Sequence, residues 1–181
     1  HAIVDAIDYK GIVDGVMRGE VKQTRGPVPE GMWGYDTDLP LPVRDLDKAK
    51  AEVQKAGGVQ EPLLLRYSTR NPAWESIALT VQANLADAGI PVKLEKLANA
   101  TLRENLDKGN FDISIGNWGP DFADQYMITN YRFQSDKHGL AGNRSFYSNP
   151  EVDEWLKEAA SLSDQAKRVA LYKKVQEKAV Q

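Results

Sequence analysis

Between Pro62 and Ile115 the spacing of apolar residues switches back and forth between two periods, and this alternation constrains the fold more than any other feature of the chain. "LLLRYS" predicts a strand. Asn71 and Pro72 then supply a cap and a first-turn proline for a helix with the stripe Trp74, Ile77, Ala78, Val81 and Leu85, which Gly89 stops. "IPVKLEKL" predicts a second strand on Val92, Leu94 and Leu97, and "ATLRENLDKG" a short helix on Leu102 and Leu106. "FDISI" predicts a third strand on Phe111, Ile113 and Ile115. Strand, helix, strand, helix, strand implies an α/β layer structure, with right-handed crossovers wherever neighbouring strands run parallel.

The flanks are helical. Ile3, Ala6 and Ile7, then Ile12, Val13, Val16 and Met17, have helical spacing, with Asp8 as an internal cap and Gly19 as the stop. Residues 20–45 form a long connection in which Pro27, Pro29, Pro40 and Pro42 forbid a continuous helix, and Trp33 and Tyr35 are expected to pin it down. Asp45 caps a helix that ends at Gly57 and Gly58. Residues 150–181 predict two C-terminal helices. The first is capped by Asn149 with Pro150 and buries Val152, Trp155, Leu156 and Ala159; the second is capped by Ser163 or Asp164 and uses Val169, Tyr172, Val175 and Ala179. Helical patterns already running at both ends give the expectation of one lobe, residues 1–181, excerpted from a larger polypeptide.

Composition removes several functions. With 23 Lys plus Arg against 26 Asp plus Glu, the formal charge of -3 offers no field for a phosphate backbone, so no nucleic-acid partner is expected. No apolar run reaches the roughly 20 residues of a membrane helix, and no membrane insertion is expected. The absence of cysteine excludes a disulfide framework, a thiolate nucleophile and a thiolate zinc site. His1 and His138 are not at metal spacing, and Asp36 with Asp38, or Asp121 with Asp124, lack the rest of a calcium loop; neither a metal nor a cofactor is expected.

In open α/β sheets ligands bind outside the carboxyl ends of the strands, where loops are released from the ladder. "GNWGPDFAD", residues 116–124, follows the third predicted strand. Gly116 and Gly119 permit close backbone approach, Asn117 adds an amide, Trp118 a flat apolar face, and Asp121 and Asp124 carboxylates, a set suited to a cationic, partly apolar small molecule. The same composition also describes an ordinary turn, because proline presets φ and aspartate bonds nearby backbone. A different use is catalytic: Asp121 and Asp124 as paired carboxylates of a hydrolase, although two acids on one turn are poorly placed to face a substrate from opposite sides.

The segments "AIDYKGIVDGVMRGEV", "RGPVPEGMWGYD", "DLDKAKAEVQKAG", "SIALTVQANLADAGIPVKLE", "LDKGNFDISIGNWGPDFADQY" and "NRSFYSNPEVDEWLKEA" resemble, in that order, the carboxy-terminal lobe of family 5 extracellular solute-binding proteins. The resemblance implies a class II periplasmic-binding-protein lobe, a mixed sheet flanked by helices, that closes with a second lobe on an extended ligand. It implies a non-enzymatic receptor that brings di- or oligopeptides to an ABC importer permease. The implied location is periplasmic or extracytoplasmic, lipid anchoring of the full-length protein included. In peptide-binding members an aspartate three residues after the tryptophan pairs with the ligand's α-ammonium group, and Trp118 with Asp121 reproduces that spacing. Two positions depart from the pattern: Gln125 replaces a common proline, and Ile115 replaces an arginine found in certain oligopeptide binders. Arg144, or else the second lobe, is then a candidate for holding a peptide carboxylate. Other amine-bearing solutes remain alternatives, and so do the nickel complexes, haem, opines and oligosaccharides carried by other family members.

Overall fold

β1 (Leu63–Ser68) is the central strand of a three-stranded sheet of order β2-β1-β3, with β2 (Val92–Leu97) and β3 (Ile113–Ser114) on either side. The computed structural model describes residues 1–180, so Gln181 of the expected C-terminal segment lies outside the described residues. Where a mixed sheet is expected, all three described strands run parallel, Leu65 pairing with Leu94 on one side and Ile113 on the other. The reason is connectivity: each link between strands is a helix, which returns the chain to the same end of the sheet before the next strand begins.

The chain divides into two compact units: His1–Gln23 with Pro42–Asn105 and Asn110–Asn117, and Thr24–Leu41 with Leu106–Gly109 and Trp118 onward. The first unit holds the sheet, α1 (Ala2–Ala6), α2 (Leu46–Lys55), α3 (Ala73–Asp87) and most of α4 (Asn99–Lys108). Leu65, Ala78, Leu85 and Ile90 lie at its centre, each at most 2% exposed. Asp45 accepts from the Lys48 N–H at 2.9 Å to cap α2, and Asn71 accepts from Ala73 at 2.9 Å as α3 begins. Asn84 is buried on α3 because its Oδ1 accepts from the Asp8 N–H at 2.8 Å, a polar site that an apolar-stripe reading passes over. Residues Gly11–Val16 wind as a π-helix, with Asp8 Oδ1 accepting from Gly11 N–H at 2.9 Å at its start. A Cβ on Gly11 would lie 2.4 Å from Asp8 Oδ2, so this cap requires glycine.

β3 is shorter than predicted. Asp112 takes over the start of its ladder, its carboxylate accepting from Leu64 N–H at 2.7 Å while its own N–H reaches the Leu64 carbonyl at 3.1 Å. Arg66 ties this side of the sheet together by pairing with Glu95 on β2, Asn105 Oδ1 at 2.6 Å and the Asn110 carbonyl.

The second unit contains α5 (Gln125–Phe133), α6 (Pro150–Ser161) and α7 (Gln165–Ala179). Asn149 caps α6 and Asp164 caps α7, the latter accepting from Lys167 N–H at 3.1 Å. Val152, Leu156, Ala159, Leu171, Tyr172 and Val175 form the core, with Trp33, Phe133 and Trp155 packed at its edge. The buried face of α7 is Leu171, Tyr172, Val175 and Gln176; Val169 and Ala179 are only half-buried. The stretch Thr24–Leu41 of the long connection is fastened here: Gln176 Nε2 donates to Gly34 O at 3.0 Å, Gln125 Nε2 to Trp33 O at 2.8 Å, and the Trp33 ring meets Tyr172 edge-on at 6.0 Å.

Candidate functional site

The strand-end loop begins where β3 lets go of β1, the last ladder bond being Ile115 N–H to Arg66 O at 3.0 Å. Gly116 and Asn117 close the first unit, both exposed, and the Asn117 polar groups have a partner. A Cβ at Gly116 or Gly119 would meet nothing among the described residues within 4 Å. Packing within the chain therefore does not demand glycine at either position, which leaves open the approach of a molecule from outside.

In the second unit Trp118 is half-buried and one face of its indole is occupied by Arg132, whose guanidinium carbon is 5.3 Å from the ring centroid. Burial, and then the neighbouring charge of Arg144, push the Arg132 pKa down. Arg144 is half-buried, its Nε donating to the Leu140 carbonyl at 2.8 Å. Asp121 is exposed and, among the described residues, has neither hydrogen bond nor ion pair. Within this unit Asp121 faces solvent. Trp118, Arg132 and Arg144 are thus brought together. Arg132 carries no motif and lies in the last turn of α5, a helix that the spacing of the sequence does not predict.

Asp124 is fully engaged. Its Oδ1 caps α5 by accepting from Tyr126 N–H at 2.8 Å, and Arg168 grips both oxygens at 2.7 and 3.1 Å. That hydrogen bond is the main reason the Arg168 pKa is raised. A carboxylate committed in this way is not the second acid of a hydrolytic pair, which corrects the paired-carboxylate alternative. Gln125 also has a structural cause: it is fully buried, and its amide holds Trp33, a bond that proline could not make.

The remaining candidates resolve locally. Asp36 and Asp38 both hold Lys173 Nζ at 3.2 Å, and among the described residues no group of His, Cys, Asp or Glu is placed to hold a metal. His138 is exposed, with Nε2 2.9 Å from the Tyr147 carbonyl. In the first unit a cavity of about 190 Å³ opens beyond the carboxyl ends of β1 and β2, between Tyr67, Ser68, Asn71, Glu75 and Lys96. Burial, then Glu75, raises the Tyr67 pKa, and Lys96 pairs with Glu75 at 2.8 Å. The cavity is below the roughly 300–1,000 Å³ of a typical ligand pocket. Among the described residues no helix is long and apolar enough to cross a membrane.

The family described as bacterial extracellular solute-binding proteins, family 5 Middle, matches residues 1–139. The probable D,D-dipeptide-binding periplasmic protein DdpA of Escherichia coli (strain K12) is 52% identical over 176 residues, 97% of this chain and 34% of that protein. Among solved structures, the ABC transporter-associated periplasmic binding protein DppA from Helicobacter pylori, in complex with the peptide STSA, superposes with a TM-score of 0.88 at 29% identity over 97% of this chain and 35% of its own. The oligopeptide-binding protein AppA from Bacillus subtilis, in complex with a nonapeptide, gives 0.86 at 27% over 98% and 38%. The chain spans about a third of the length of these relatives, which are named as binding proteins. Its fold is α/β, of the class II periplasmic-binding-protein type. The chain belongs to the bacterial extracellular solute-binding proteins, family 5.

Proposed function

We propose that this chain is the ligand-binding lobe of an extracytoplasmic solute receptor that delivers di- or oligopeptides to an ABC importer permease. The chain, residues 1–181, is one lobe of a two-lobe protein, and the receptor works by binding rather than by catalysis. The observation that carries this reading is Asp121: an exposed carboxylate, unpartnered among the described residues, three positions after a tryptophan on the loop that leaves the sheet. A free carboxylate accepts an ammonium group through charge-assisted hydrogen bonds, about twice as strong as neutral ones. Closure of a second lobe over it would supply the exclusion of water that this unit does not provide alone. Trp118, Asn117, Gly116 and Gly119 line the same loop, the glycines leaving room for a ligand backbone.

The name of the 52%-identical relative makes a D,D-dipeptide the first cargo to test. Native mass spectrometry of the full-length receptor, purified without denaturation from its own periplasm, reads the cargo directly. A bound species with the mass of a short peptide supports the proposal. A bound sugar or metal complex, with no peptide displacing it, would refute it.

A further inference from the structure

Within the second unit one residue of the long connection, Trp33, meets three consecutive residues of the strand-end loop and the start of α5. Its indole N–H donates to the Ala123 carbonyl at 3.1 Å, and its own carbonyl accepts from the amide of the fully buried Gln125 at 2.8 Å. Its ring centroid lies 5.0 Å from the guanidinium carbon of Arg168, whose fork holds both oxygens of Asp124. Packing alone does not call for tryptophan. The ring meets Tyr172 edge-on at 6.0 Å at the border of the core, a contact that phenylalanine would also make. What the indole adds over a phenyl ring is its N–H, and because that bond is exposed, water would replace it at little cost to the fold.

The bond falls next to Asp121. Ala123 follows Asp121 by two residues, which keeps their Cα atoms within roughly 7 Å. Asp121 itself is exposed and, among the described residues, has no partner to fix the direction of its carboxylate. A carboxylate on an unanchored loop loses conformational freedom when it meets a ligand, and that loss subtracts from affinity. We propose that Trp33 is a positioning residue of the binding site, its indole N–H holding the Ala123 carbonyl so that the loop presents the Asp121 carboxylate to the ammonium group of the cargo. The inference rests on the peptide-receptor reading and extends the site to a residue 90 positions before the carbonyl it holds.

The test is calorimetry on the full-length receptor with D-alanyl-D-alanine, the simplest chiral D,D-dipeptide, and with its N-acetyl derivative. Trp33→Phe keeps the ring and removes the N–H. Wild type is expected to prefer the free amine, and Trp33→Phe should reduce that preference by roughly 3- to 10-fold, the range of one neutral hydrogen bond. The loss should fall on the amine and leave the acetylated peptide within about twofold, since that peptide has no ammonium group to offer Asp121. An unchanged preference in a folded variant, or equal losses for both peptides, would assign Trp33 a merely structural role and overturn the inference. If Trp33→Phe does not fold, wild type alone decides, because coupling between two equilibria is reciprocal: a bond that favours the ligand is favoured by it. Solvent exchange of the Trp33 indole proton, followed by nuclear magnetic resonance, should slow by at least roughly 3-fold on saturation with D-alanyl-D-alanine. An unchanged exchange rate would overturn the inference. Wild type with no preference for the free amine, or no affinity for either peptide, would instead remove the Asp121 reading, and the inference with it.

Discussion

Replacing Arg168 by alanine tests how the strand-end loop is anchored. The side chains of Arg168 and Asp124 are 18% and 25% exposed, between a surface pair and a buried one. Exposed pairs contribute about 0–1 kcal/mol, whereas breaking a buried pair costs about 3–5 kcal/mol. The bidentate contact to Asp124 therefore accounts for about 1.5 kcal/mol. Stacking at 5.0 Å over Trp33 and 5.6 Å over Tyr172 adds about 0.5 kcal/mol each. Loss of the Nε bond to the Ala159 carbonyl, 3.2 Å long, brings the sum to about 3 kcal/mol. For a chain of this size that lowers Tm by about 6–12 °C. Arg168→Lys keeps the charge but not the fork and should recover less than half. Urea and thermal denaturation followed by circular dichroism read both values. A double-mutant cycle with Asp124→Asn should return a coupling of about 1–2 kcal/mol. A loss below about 0.5 kcal/mol in Arg168→Ala, or strict additivity with Asp124→Asn, would refute the anchor.

Gly34 sits at φ +73, and a Cβ there would fall 2.2 Å from Gln125 Nε2, so Gly34→Ala should cost about 1–3 kcal/mol in urea denaturation and release the Gln125 bond to Trp33. Burial raises the pKa of Tyr67 and Tyr172 above 10.0 in the folded state. The unfolded chain therefore loses these protons first as pH rises. Stability from these groups is complete below pH 10 and declines as pH climbs through the folded values, and Tyr172→Phe should flatten that decline in denaturation curves taken against pH. The 181-residue chain alone should bind dipeptides far more weakly than the full-length receptor, because the contacts that stabilise a closed state are divided between lobes; sub-micromolar binding by the isolated chain in calorimetry would contradict this.

Caps and periods made α2, α3, α6, α7 and the central strand legible, whereas α5 is not among the helices that they predict. Asp45, Asn149 and Asp164 each cap the helix that follows because a short acceptor side chain before an apolar stripe satisfies N–H groups that no other local arrangement reaches. What periodicity missed is polar burial. Asn84, Gln125 and Gln176 lie inside because each bonds to backbone distant in sequence, at Asp8, Trp33 and Gly34. No local pattern encodes such partners. The same limit applies to the site. Trp118 and Asp121 are visible as a spacing on one loop, and Asp124 looks equivalent to Asp121 until the fold brings Arg168 to it from forty-four residues away. Arg132 was hidden for the opposite reason, since a basic residue at a helix end is ordinary.

In the proposed receptor the Asp121 carboxylate receives the ammonium group of a peptide. Calorimetry on the full-length receptor with a D,D-dipeptide and its N-acetyl derivative, against wild type and Asp121→Ala, tests both sides of that contact at once. Acetylation and Asp121→Ala should each weaken binding by roughly 10- to 100-fold, and together weaken it little further. Full affinity of Asp121→Ala for the free-amine dipeptide would contradict it.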